Sequence, residues 1–68
     1  KNCLRDLRKK HGYSQDGLAE KLGVSRQTVI SIEKNKYNPS LPLALHISRV
    51  FKTTVENIFF LEENDLKK

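Results

Sequence analysis

Few of the 68 residues have the chemistry of a catalyst. Cys3 is the single cysteine, near a chain end that is expected to fray and without a base beside it, and its spacing to His11 and His46 matches no metal-ligand pattern. No acid pair, Ser/His or Cys/His set or Gly-rich phosphate loop can be assembled, so neither an enzyme nor a metal, cofactor or small-molecule site is expected. What the chain does concentrate is hydrogen-bonding capacity. Ser25-Arg26-Gln27-Thr28 is a continuous polar run, and Ser31 follows it one helical turn later. The Arg and Gln end groups are planar and can each make two parallel hydrogen bonds, Arg to guanine O6 and N7 and Gln to adenine N6 and N7. Each such pair discriminates between bases by about 1–3 kcal/mol. Thr28 can add a methyl contact to thymine.

The charge pattern suits a polyanionic partner. Residues 1–52 carry eleven Lys or Arg against Asp6, Asp16, Glu20 and Glu33, a local charge of +7, whereas residues 53–68 sum to −2. A basic body of this kind fits double-stranded DNA, which carries one phosphate per roughly 1.7 Å of axis. The longest apolar run, Ile58 to Leu61, is far short of the roughly 20 residues of a membrane span, so a soluble chain in a reducing cytoplasm is expected, with no membrane partner.

The elements that must position the polar run can be read from spacing and caps. A chain this short forms one domain with a marginal core, since it buries only roughly 60% of its unfolded surface. Leu4, Leu7 and Arg8 predict a first helix over Asn2 to His11, stopped by Gly12. Ser14 caps a second helix, Gln15 to Leu22, with Leu18, Ala19 and Leu22 inward and Gly23 at its end. Gly17 stands where a capping box wants Glu or Gln, which weakens this start. Ser25 caps a third helix running to about Lys34, with Val29 and Ile32 inward and Asn35 ending it in the left-handed conformation. Tyr37-Asn38-Pro39 is a turn, and Ser40 caps a fourth helix whose stripe is Leu41, Ala44, Ile47, Ser48 and Phe51; Pro42 is tolerated in its first turn. Thr54 opens a short fifth helix with Val55, Ile58 and Phe59 inward. The reading is all-α, with residues 1–61 as the domain and 62–68 as a short charged tail.

The second and third helices have the residues of a close, near-perpendicular pair. Ala19 is small enough for the two to approach, Gly23 gives the turn its positive φ, Val24 fills the corner, and Val29 with Ile32 anchor the third helix from behind. The opposite face of that helix, with Arg26, Gln27, Thr28 and Ser31, is left free to enter a major groove.

Three motifs carry a family resemblance. They are Leu4-Arg5-Asp6-Leu7-Arg8, the stretch Ser14-Gln15-Asp16-Gly17-Leu18-Ala19-Glu20-Lys21-Leu22-Gly23-Val24-Ser25-Arg26-Gln27-Thr28-Val29, and Ile32-Glu33-Lys34-Asn35-Lys36-Tyr37-Asn38-Pro39-Ser40-Leu41. Over residues 4 to about 61 the chain resembles the Cro/cI-type, lambda-repressor-like helix-turn-helix family, and in particular its compact stand-alone regulators such as the small cytolysin-repressor-type proteins. The resemblance implies five helices, a two-fold homodimer and operator binding through the third helix. It implies base contacts from Arg26, Gln27 and Ser31, a phosphate contact from Gln15, and an Arg8–Glu33 ion pair tying the first helix to the third. A carboxylate at position 33 would otherwise face phosphates. Ser25, Lys34, Lys36, Tyr37 and Asn38 are the further phosphate candidates. Gly17, Ile30 and Lys52 depart from the family's usual residues, the last standing where a glycine is usual.

Four adjacent large apolar residues, Ile58-Phe59-Phe60-Leu61, cannot all enter one small core. Phe60 and Leu61, with Ile58 beside them, are therefore candidate contacts of a homodimer, unless the chain folds back over them. The expected function is sequence-specific transcriptional regulation, as a repressor at a palindromic operator. The alternative is a protein-interaction module on the same fold, such as an antitoxin or an adaptor.

Overall fold

The computed structural model describes residues 2–61, so the charged tail 62–68 lies outside the described residues. Five helices follow one another: α1 (Leu4–Lys10), α2 (Gln15–Leu22), α3 (Arg26–Glu33), α4 (Leu41–Val50) and α5 (Val55–Ile58). Among the described residues, extended pairing is limited to one isolated antiparallel bridge between Asn2 and Phe59, and the fold is all-α. No helix among them is long and apolar enough to cross a membrane.

Serines start three of the helices. The Ser14, Ser25 and Ser40 hydroxyls accept from the backbone N–H groups of Gly17 (2.9 Å), Thr28 (3.1 Å) and Leu43 (3.3 Å), each satisfying a donor that its helix leaves without a partner. Gly17 thus keeps the Ser14 bond although it has no side chain to return one. A Cβ on Gly17 would lie 3.1 Å from the Ser14 Oγ.

Four helices end alike. After each, one residue turns left-handed and the next N–H reaches back to a carbonyl five residues earlier: Tyr13 to Arg8, Val24 to Ala19, Lys36 to Ser31 and Thr53 to Ser48, all at 2.9–3.0 Å. The left-handed residues are Gly12, Gly23, Asn35 (φ 59°) and Lys52 (φ 54°). Glycine enters that region freely and Asn readily, whereas Lys52 does so against the clash of its own Cβ.

The core is built from Leu4, Leu18, Val29, Ile32, Ile47 and Ile58, all fully buried, with Ala19, Leu22 and Phe51 around them. Burying each large aliphatic side chain contributes roughly 1.5–3 kcal/mol. Phe51 is flanked edge-on by the rings of His11, at 5.0 Å, and Tyr13, at 6.0 Å. Ser48 is buried as well, and its hydroxyl donates to the Leu45 carbonyl at 2.7 Å.

Several expectations are corrected here. The first helix begins at Leu4 and not at Asn2, because the Asn2 backbone bridges to Phe59 and its side chain oxygen accepts from the Leu4 N–H at 3.0 Å. Leu41 is 69% exposed. As the first residue of α4 its side chain leans towards the helix N-terminus, beyond the reach of the core. Ile58 has no exposed surface, so it belongs to the core and offers nothing to a partner, unlike Phe60 (43%) and Leu61 (69%). Nor does Cys3 lie on a loose end: its N–H donates to the Ile58 carbonyl at 2.9 Å and its thiol to the Asn57 carbonyl at 3.1 Å.

Candidate nucleic-acid interface

The third helix is held from behind and bare in front. Val29 and Ile32 are fully buried against α2, where Leu18, Ala19 and Leu22 form the facing surface. Periodicity then turns Arg26, Gln27 and Ser31 outward; Arg26 and Gln27 are exposed, and Thr28 and Ser31 half-buried. Ser25, Gln27, Thr28, Ser31 and Tyr37 line one shallow hollow on this face. Within it the Ser25 and Thr28 hydroxyls lie 2.9 Å apart, so the Thr28 hydroxyl is engaged locally.

A buried polar network ties α3 to α1 and α2. Arg8 Nε donates to Glu33 Oε2 at 2.6 Å and Arg8 Nη2 to Glu33 Oε1 at 3.4 Å, with both side chains less than a tenth exposed. Arg8 Nη1 donates to the Tyr13 carbonyl at 3.0 Å, and Gln15 Nε2 donates to Glu33 Oε1 at 3.3 Å. No buried side-chain nitrogen or oxygen among the described residues lacks a partner. One carboxylate thus ties α1, α2 and α3 together, and its charge is compensated within the protein.

The phosphate candidates fall into two groups. Gln15 and Lys34 share a recess with Arg5, Ile30 and Glu33 on one flank of α3. Lys36, Tyr37 and Asn38 lie on the other, in the turn after α3, all exposed. Tyr37 and Asn38 border a groove whose far wall is Phe59, Phe60 and Leu61. A strip of cationic and amide groups therefore runs on both sides of the polar row, an arrangement that can grip a backbone while the row addresses a groove.

Two residues at this surface escape sequence reasoning. Arg5 lies beside Gln15 and Lys34, and its place three residues before Arg8, on nearly the same helical face, was the available signal. Asp16 lies with its Oδ1 3.8 Å from Arg26 Nε, a proximity that depends on how α2 crosses α3.

Comparison with known proteins agrees with this geometry. A helix-turn-helix family model matches residues 4–58. An HTH-type transcriptional regulator of Methanocaldococcus jannaschii is 51% identical over 65 residues, covering 96% of this chain and 98% of that protein. Among solved structures, the restriction-modification controller protein C.AhdI of Aeromonas hydrophila superposes with a TM-score of 0.74 at 32% identity, covering 82% of this chain and 85% of that one. The N-terminal DNA-binding domain of SinR from Bacillus subtilis gives a TM-score of 0.74 at 34% identity, with 88% of each chain covered. The chain belongs to the Cro/cI-type helix-turn-helix family, the family of these regulators.

Proposed function

We propose that this protein is a sequence-specific DNA-binding transcription regulator that acts as a repressor, binding a near-palindromic operator as a homodimer. The observation that carries the reading is the exposed polar row of α3, braced from behind by Val29 and Ile32 and flanked by cationic and amide groups. In this reading Arg26, Gln27, Thr28 and Ser31 address base edges. Thr28 acts through its methyl, because its hydroxyl is engaged by Ser25. Gln15, Ser25, Lys34, Lys36, Tyr37 and Asn38 fix the register on phosphates, and Arg5 joins them beside Lys34. Phe60 and Leu61 supply the apolar edge of the two-fold contact, without Ile58. Relatives named as transcriptional regulators and a neighbour named as a DNA-binding domain support the same class.

Selection of bound duplexes from a random pool tests this directly. The expected product is a pair of inverted half-sites with centres about 10–10.5 base pairs apart, or a multiple of that. Arg26→Ala then relaxes selection at defined bases, whereas Lys36→Ala weakens binding to all sequences and lowers the salt slope by about one. A pool that enriches no motif, with a heterologous protein co-purifying, would overturn the reading in favour of an interaction module. A monomer by light scattering at micromolar concentration would remove the homodimer.

A further inference from the structure

Asp16 is out of place on a surface meant for phosphates. It is the second residue of α2, next to Gln15, its side chain is 77% exposed, and its Oδ1 lies 3.8 Å from Nε of Arg26, whose side chain is 60% exposed. Ser14, Gln15, Asp16 and Arg26 border a common recess with Arg8 behind them. A carboxylate there repels the backbone of any duplex that approaches.

The atom it faces gives that carboxylate a use. Arg26 would bind guanine through Nη1 and Nη2, the two ends of its fork, which leaves Nε without a role in the base contact. Asp16 lies beside that atom. Arg26 is moreover the first residue of α3, where the positive end of the helix dipole disfavours a cation, while Asp16 is in the first turn of α2, where the same effect favours an anion. The anion is thus held by its own helix, and the long cationic side chain has a reason to stay beside it.

We propose that Asp16 is a positioning residue for Arg26: its carboxylate holds Nε so that the fork is presented to guanine, while its charge lowers affinity for duplex DNA in general. Specificity then grows through the better-aimed correct contact, while the repulsion that every sequence meets cancels in the ratio of affinities and lowers only the overall affinity. This rests on the base-reading role proposed for Arg26.

The test is a set of binding titrations with the full chain: wild type, Asp16→Asn, Asp16→Glu, Arg26→Ala and the Asp16→Asn/Arg26→Ala double variant. Each is measured against the selected operator, the same operator with Arg26's guanine pair replaced, and an unrelated duplex. Asp16→Asn is expected to narrow the operator-to-replaced ratio about 1.5- to 5-fold, the range of an exposed ion pair. It should raise affinity for the unrelated duplex about 2- to 5-fold at low salt. Asp16→Glu should recover most of the ratio, and Asp16→Asn should not change it further once Arg26 is alanine. If Asp16 served only the start of α2, Asp16→Asn would lower the melting temperature and weaken all three duplexes alike, which overturns the proposal. So does a narrowing that persists in the Arg26→Ala background. If Arg26→Ala narrows the ratio and Asp16→Asn does not, this inference alone fails. If Arg26→Ala also leaves it unchanged, the base-reading assignment fails with it.

Discussion

The α2–α3 unit and the closure of Asn2 onto Phe59 are built in opposite ways. In the first, each boundary is set by a residue within a few positions: Ser14 and Ser25 start the helices, and Gly23 and Asn35 end them. In the second, Asn2 donates to the Ile32 carbonyl at 2.8 Å and the Asn35 side chain at 2.9 Å, thirty and more residues away, and its backbone pairs with Phe59. The first arrangement follows from local chemistry, while the second exists only once the helices have packed. The polar row of α3 therefore rests on a unit specified locally, whereas Phe60 and Leu61 are placed by a closure that the whole fold must supply.

The largest expected effect comes from the group that ties α1 to the α2–α3 unit. Glu33→Ala removes the carboxylate shared by Arg8 and Gln15 and leaves a guanidinium buried without its partner, at a cost of about 3–5 kcal/mol. For a domain of this size that lowers the melting temperature by about 12 °C or more. Calorimetry of Glu33→Ala beside Glu20→Ala, an exposed acid of α2, checks it. Equal losses would mean that the network contributes nothing beyond a surface charge.

Asn2→Ala separates the two regions. It deletes both donations and the acceptor for the Leu4 N–H, a loss of about 2 kcal/mol at roughly 1 kcal/mol for each of the better bonds. The sharper observable is amide exchange. The Cys3 and Leu4 N–H groups, which bind Ile58 and Asn2, should exchange much faster, while those of Leu18 and Val29 should change only by the loss in global stability. A uniform acceleration would show that the closure and the α2–α3 unit open together, and that the contrast between them is one of construction only.

The same contrast explains what could be read beforehand. The span of α2, the caps at Ser14, Ser25 and Ser40 and the left-handed Asn35 were legible because each is decided by neighbours in sequence. The types and spacing of Arg26, Gln27, Thr28 and Ser31 were legible for the same reason. Leu41 was misjudged because periodicity gives a direction around a helix axis and not how far the core extends along it. Ile58 and Asn2 were misjudged because one strip of chain lies over another. Asp16 and Arg5 went unseen because the residues beside them belong to helices that cross their own.

The smallest effect concerns the helix ends, and its sign reverses between two positions. Lys52 is left-handed with a φ of 54°, and a side chain bearing a Cβ in that conformation costs about 1–2 kcal/mol, of which glycine's greater freedom in the unfolded chain takes back part. Lys52→Gly should therefore stabilise by about 1 kcal/mol, raising the melting temperature by about 4–8 °C. Asn35→Gly should not. Asn is itself tolerated at its φ of 59°, and its side chain oxygen accepts from Asn2 Nδ2 across 33 residues, so glycine relieves little and removes a bond that the closure uses. Thermal melts of the two variants, singly and combined with Asn2→Ala, decide the matter. Asn35→Gly should lose its penalty when Asn2 is already alanine, whereas the gain from Lys52→Gly should be the same in both backgrounds. A gain at both positions would mean that backbone strain alone governs these helix ends and that the Asn2–Asn35 bond holds nothing.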